Sequence, residues 1–246
     1  MTITMKKLTF EDIKQAWLQR HPPVSVEQYQ LADTLLRLLS EGNPVSAERY
    51  AEIVNLPVEH IRESFKQAKI SGAEFDEDGN LIGNALTLKP TRHHFNVEDK
   101  ELYAWCSLDT LFLPGLIGKT AQVESTDPIT GESISLTISP EGVSNLSPAT
   151  AVSSIVVPGM TANCESCVPN QTGPESAVCS QMHYFASRES AEKWVQNHPD
   201  VAILTVHEAF ELAQEVWLEQ RAKASQNPST DSHPLQDNHN DNCCTS

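Results

Sequence analysis

The stretch "NVEDKELYAWCSLDTLFLPGLIG", residues 96–118, decides how the chain is divided. Its second half is apolar and aromatic, and the pattern predicts a helix running into a Pro-Gly stop at Pro114-Gly115. Inside it stand Cys106 and Asp109, three residues apart. Residues i and i+3 share one helix face, so the two side chains are expected to project together. Trp105, Leu108 and Phe112 would fill the apolar surface around them, with Trp105 and Tyr103 as core or as a pocket wall. A buried thiol alone is ordinary, because free cysteine packs as a small hydrophobe. A carboxyl group in the same apolar segment is not, because burying it without a partner is costly.

Burial raises a carboxyl pKa and favours a protonated aspartate that can donate. It also keeps a thiol protonated, but a coordinated soft metal removes the thiol proton outright. The pair therefore suits a site that holds a soft metal through sulfur and delivers a proton beside it. Such a centre needs a second thiolate. Cys179, in "AVCSQMHYFAS", is the best candidate because it opens a β-like run; Cys164 and Cys167 in a Gly/Pro/Asn-rich loop are rivals.

Working outward, residues 1–95 read as a winged-helix-like N-terminal domain. "VEQYQLADTLLRLLSEG" places Leu31, Leu35, Leu38 and Leu39 at helical spacing, with Gly42 as a stop. "PVSAERYAEIVNLPVEHIRESFKQAKISG" reads helix, turn, helix, with Ser46 as N-cap and Pro57 opening the second helix. Asp78-Gly79 then marks a turn between two short strands. Residues 96–224 read as an α+β catalytic core of antiparallel strands flanked by helices. Its β-like runs are "TAQVEST", "SISLTISP", "AVSSIVVPG", "QMHYFAS" and "VAILTV", and it ends on the helix "HEAFELAQEVWLEQRAKA". His93-His94 read as surface strand residues, and Glu208 as a carboxylate at a positive helix end. "MTANCESCVPNQTGPESAV" reads as a mobile loop. The tail, residues 225–246, has too little apolar content to fold and reads as disordered.

The bulk properties exclude several classes. A formal net charge of -16 argues against nucleic acid and against an anionic membrane surface. No apolar core of a signal peptide follows the N-terminal lysines, and no run has the length of a membrane span. A cytoplasmic protein is expected. In that reducing setting the six cysteines, Cys106, Cys164, Cys167, Cys179, Cys243 and Cys244, point to metal or thiol chemistry rather than to disulfides.

Several separated motifs in one order resemble the organomercurial (alkylmercury) lyases: "DEDGNLIGNALTLKPT", "KELYAWCSLDTLFLPGLIGKTAQV", "VCSQMHYFAS" and "VHEAFELAQE". The resemblance spans residues from about 30 to 218. It implies a winged-helix-like unit beside an antiparallel core. It implies cleavage of a carbon–mercury bond by protonolysis, with no organic cofactor, and it puts the catalytic set on Cys106, Asp109 and Cys179. Organomercurials carried as thiol adducts would be substrates, cellular thiols would take part in exchange, and mercuric reductase would accept the Hg²⁺. The chain departs from the family in two places. Asp127 or its neighbour, in "ESTDPITGE", stands where many members carry a cysteine, and Ser180 follows Cys179 where others have a second cysteine. It also adds Cys164, Cys167 and a terminal Cys243-Cys244 pair resembling the cysteine pair of mercuric reductases, a candidate for passing Hg²⁺ onward.

Two other readings stand beside this one. Cys164, Cys167, Cys179 and His183 have finger-like spacing for zinc. Arg62, Lys66 and Lys69 could share a helix face in a thiol- or mercury-responsive winged-helix regulator that binds DNA.

Overall fold

The computed structural model describes residues 8–20, 24–159 and 173–226. Four helices come first: α1 (Phe10–Arg20), α2 (Val26–Leu39), α3 (Ala47–Val54) and α4 (Val58–Ile70). Ser25 and Gln28 form a capping box at the start of α2, and Ser46 caps α3 by accepting the Arg49 N–H. Each cap satisfies a backbone donor that the first helical turn cannot. Pro57 occupies the N-cap position of α4, where its missing N–H costs nothing. Leu36, Leu38 and Leu39 face the core.

The hairpin of β1 (Glu74–Phe75) and β2 (Leu81–Asn84) follows, turning at Gly79 with φ +81°. Asp76 accepts the N–H groups of Asp78 and Asn80 and fixes the loop. The chain then adds β3 (Leu86–Thr87), β4 (His93–Val97), β5 (Lys100–Ala104), β6 (Ala121–Thr126), β7 (Ser133–Ser139) and β8 (Gly142–Ser147). These eight strands make one antiparallel sheet in the order β1-β2-β3-β5-β4-β6-β7-β8. A second antiparallel sheet has β9 (Val152–Val156) between β10 (Tyr184–Phe185) and β11 (Val201–Thr205). Helices α5 (Ser107–Ile117), α6 (Arg188–Val195) and α7 (Val206–Gln226) complete an α+β fold. Helix α5 touches α7, β7 and β9, so it lies at the centre of the core. No described helix is long and apolar enough to cross a membrane.

The helix expected over residues 96–118 is corrected in its first half. Residues 100–104 are strand, paired with β4 through a two-residue turn at Glu98 and Asp99. Both turn residues have positive φ, 47° and 62°, which this kind of hairpin demands. Helix α5 begins only at Ser107, and Pro114-Gly115 does not stop it. Pro114 forgoes one helical hydrogen bond, yet the helix continues to Ile117 because nearly every residue around it is buried. The stop is Gly118, left-handed at φ +70°. Strand β8 had no expectation attached to it. The β-like run opened by Cys179 is shorter than expected, since Cys179–Gln181 is a 3-10 turn and only Tyr184–Phe185 is strand.

Candidate active site

Strand β5 delivers the chain into the core, and the Trp105 N–H closes onto the Ala85 carbonyl at 2.9 Å. Cys106 is then the N-cap of α5, in extended conformation, and Asp109 is its third helical residue. The Asp109 carboxylate accepts the Cys106 N–H at 3.0 Å, while the Cys106 sulfur faces the Asp109 N–H. The pair is thus a capping box rather than two residues inside one helix. Both side chains are buried, with Cys106 wholly so.

The third member arrives from the turn Cys179–Gln181. The Ser176 hydroxyl accepts the Cys179 N–H at 3.1 Å, and Met182 N–H bonds the Cys179 carbonyl at 3.2 Å. Ser154 on β9 clamps the far side of this turn: its hydroxyl accepts the His183 N–H and donates to the Gln181 carbonyl, both at 2.8 Å. The Ser107 N–H donates to the Met182 carbonyl at 3.2 Å, tying the turn directly to the head of α5. As a result the two sulfurs and an Asp109 oxygen lie within 4.8 Å of one another.

Behind them sits a set of buried hydroxyls. The Ser107 and Ser153 hydroxyls are 2.9 Å apart, and those of Thr110 and Tyr184 are 2.6 Å apart. They bind α5 to β9 and β10 without offering a charge to the site.

Burial sets the electrostatics. It pushes the Asp109 carboxyl up to about 7, against hydrogen bonds from the Cys106 side chain and backbone that pull it down. Burial also pushes the Cys106 thiol well up, reinforced by a hydrogen bond with Cys179 and by the Asp109 charge. Burial thus favours the protonated form of both groups.

A cavity of about 320 Å³ has Asp109 and Cys179 among its lining residues. Its walls include Trp105, Leu108 and Phe112, with Trp17 from α1 and Trp217 from α7. Trp17 and Trp217 were not anticipated in the sequence. Their signal is only that each is a large aromatic on an amphipathic helix, and many core residues share it.

Other expected residues fall elsewhere. Cys164, Cys167, Cys243 and Cys244 lie outside the described residues, as do the expected mobile loop over much of its length and all but two residues of the tail. The expectation that His93 is a surface residue is corrected: it is buried beside His183, with its Nδ1 3.0 Å from the Ser125 hydroxyl. His94 is half-buried. His183 Nε2 lies 2.9 Å from the Ser180 carbonyl, and His183 is absent from the metal-type cluster of Cys106, Asp109 and Cys179. Arg62 is paired with Glu48 and Glu59, and Lys66 with Glu63, which weakens the case for a phosphate-binding face. Glu208 accepts the Thr205 N–H at the head of α7.

Fold and site together define an α+β protein that gathers two sulfurs and a carboxyl group beside an apolar cavity. Comparison with known proteins narrows the class. The alkylmercury lyase family profile matches residues 86–217. The chain is 41% identical over 178 residues to an alkylmercury lyase of Staphylococcus epidermidis, covering 72% of this chain and 77% of the relative. It is 38% identical over 179 residues to an alkylmercury lyase of Pseudomonas putida, covering 73% and 79%. The fold is similar to that of the mercury-bound form of MerB2, with TM-score 0.68 at 20% identity over 85% of this chain and 99% of that one. The chain belongs to the alkylmercury lyase family.

Proposed function

We propose that this chain, as an organomercurial lyase of organomercury detoxification, cleaves R–Hg⁺ to R–H and Hg²⁺ with Cys106, Cys179 and Asp109. The observation carrying this assignment is the approach of the three ligand atoms to within 4.8 Å, with Asp109 and Cys179 lining an apolar cavity. Mercury is soft, so sulfur captures it in preference to oxygen or imidazole. The substrate enters as a thiol adduct, R–Hg–SR′. One enzyme sulfur displaces R′S⁻, which leaves as R′SH with the first thiol proton. The second sulfur then binds mercury, and its proton passes to the Asp109 carboxylate. Two thiolates push electron density onto mercury and give the bound carbon carbanion character. Asp109 delivers the proton to that carbon as the Hg–C bond breaks. The balance is R–Hg–SR′ plus two enzyme thiols giving R–H, R′SH and Hg²⁺ on two enzyme thiolates. Asp109 ends in the state in which it began.

The test is release of benzene from phenylmercury, or methane from methylmercury, by the purified chain in excess thiol. Cys106→Ser and Cys179→Ser should each abolish release. Wild-type turnover in either would overturn the assignment.

Finer features follow from the same reading. Cellular thiols remove Hg²⁺ by exchange, and mercuric reductase is its acceptor in the cytoplasm. The Cys243-Cys244 pair hands the ion over; equal single-turnover transfer to reductase with and without residues 243–246 would refute that role. Residues 1–95 act as a winged-helix-like packing domain for the 96–224 core, followed by the 225–246 tail. The helix-turn-helix of α3 and α4 and the β1–β2 hairpin support this division.

A further inference from the structure

The turn that carries Cys179 is too short to satisfy its own backbone, so its carbonyls must find partners around it. The Cys179 carbonyl accepts the Met182 N–H at 3.2 Å, the Gln181 carbonyl the Ser154 hydroxyl at 2.8 Å, and the Met182 carbonyl the Ser107 N–H at 3.2 Å. The Ser180 carbonyl, one residue past Cys179, meets an ionisable side chain instead: His183 Nε2 lies 2.9 Å from it. A carbonyl only accepts, so Nε2 carries the proton. His183 Nδ1 is buried with no hydrogen-bond partner among the described residues, so a second proton there would be a stranded charge. Burial, joined by the charge of Arg92, pushes the imidazole down to about 4, against the Ser180 hydrogen bond that pulls it up.

The ring has little freedom. The His183 N–H donates to the Ser154 hydroxyl at 2.8 Å, and the His183 carbonyl accepts the Ser154 N–H at 2.9 Å, which ties its main chain to β9. His93 of β4 lies 6.0 Å away, centroid to centroid, with 17° between the planes, and Trp194 of α6 meets the ring edge-on at 5.1 Å.

We infer that His183 is a positioning residue for the second mercury-binding sulfur, its Nε2–H fixing the Ser180 carbonyl and so holding Cys179 against Cys106 and Asp109. The inference rests on the lyase reading above and adds a residue to its machinery. Cys106 is placed by a helix cap, whereas Cys179 depends on what grips its turn. Two sulfurs share one ion only at the right spacing, and small misplacements are costly.

The experiment separates the N–H from the ring. His183→Phe keeps an aromatic ring and loses the donor; His183→Gln loses the ring and keeps an N–H at similar reach. In the full chain, Hg²⁺ retention against a competing dithiol should fall by about tenfold in His183→Phe, the weight of one buried hydrogen bond, and by no more than about threefold in His183→Gln. Single-turnover benzene release from phenylmercury should follow the same order. A packing role alone predicts the reverse, with the Phe variant nearer wild type. That reverse order, or equal values in the two variants, would overturn the inference and leave the lyase reading intact. Nitrogen NMR of the wild-type chain at pH 7 needs no variant to fold and should show His183 in the Nε2–H form. An Nδ1–H form or an imidazolium would also overturn the inference. Failure of the wild type to release benzene would overturn both.

Discussion

The Asp109 carboxylate accepts the backbone N–H of Cys106 at 3.0 Å, so one helix cap fixes the sulfur and the carboxyl group relative to each other. The cap makes the two groups separable by mutation. Asp109→Asn keeps an oxygen for the Cys106 N–H but cannot carry a proton; Asp109→Ala loses both. Each should lower single-turnover benzene release by ~10²–10⁴, the usual weight of a general acid. The Asn variant should also keep a urea midpoint at or above the native one at pH 5. Full activity in Asp109→Asn would remove the proton-carrying role.

Stability should depend on pH through the same carboxyl group. Its folded pKa of about 7 lies above the ordinary aspartate value. Between the two values the folded state binds more protons than the unfolded state, so stability falls as pH rises from about 4 to about 7. The full effect is on the order of 4 kcal/mol, with relaxation of the site reducing it. Urea melts at pH 5 and pH 8 should show the decline in wild type and a much smaller one in Asp109→Asn.

Asp127 should behave in the opposite sense. Burial raises its pKa, but hydrogen bonds from the Ser190 hydroxyl and from the Ala186, Ile129 and Thr130 N–H groups prevail and hold it below the usual range. Its contribution is present above the unfolded pKa and is lost as pH falls through the lower folded value. Asp127→Ala strands several donors and should cost about 3–5 kcal/mol in urea denaturation at pH 7. Asp127→Asn, with one acceptor oxygen remaining, should fall between.

Ser154 should matter to mercury more than to the fold. Its hydroxyl bridges the His183 N–H and the Gln181 carbonyl and so sets where the Cys179 turn sits. Ser154→Ala should weaken Hg²⁺ retention against a competing dithiol by about tenfold, the loss expected from one buried hydrogen-bonded bridge. Unchanged retention would show that the Ser176 and Ser107 contacts suffice to place the turn.

The pairing of Cys106 with Asp109 was legible in the sequence because one spacing serves two local geometries. An N-cap and its third helical residue are three apart, as are neighbours on a helix face, so Cys106 and Asp109 were paired correctly for the wrong reason. The β4–β5 hairpin was not legible. Glu98-Asp99 lacks the Asn-Gly or Asp-Gly signature of such turns, and the charged run around it resembles a solvated helix. His93 was misplaced because a strand shows two faces, and the sequence does not say that β10 and His183 cover one of them. The walls formed by Trp105, Leu108 and Phe112 could be read from the sequence, but those formed by Trp17 and Trp217 could not, since these two stand at opposite ends of the described chain and meet only through packing of α1 on α7.

Cys106 heads α5, whereas Cys179 sits on a turn reached only after β6, β7, β8 and β9. A mercuric ion shared by the two sulfurs, as proposed, would therefore also be a removable staple across that part of the chain. Like any ligand that binds only the folded state, it raises stability by mass action. The enzyme should be most resistant to heat when it is loaded with product and idle, and each turnover that frees the ion also releases the staple.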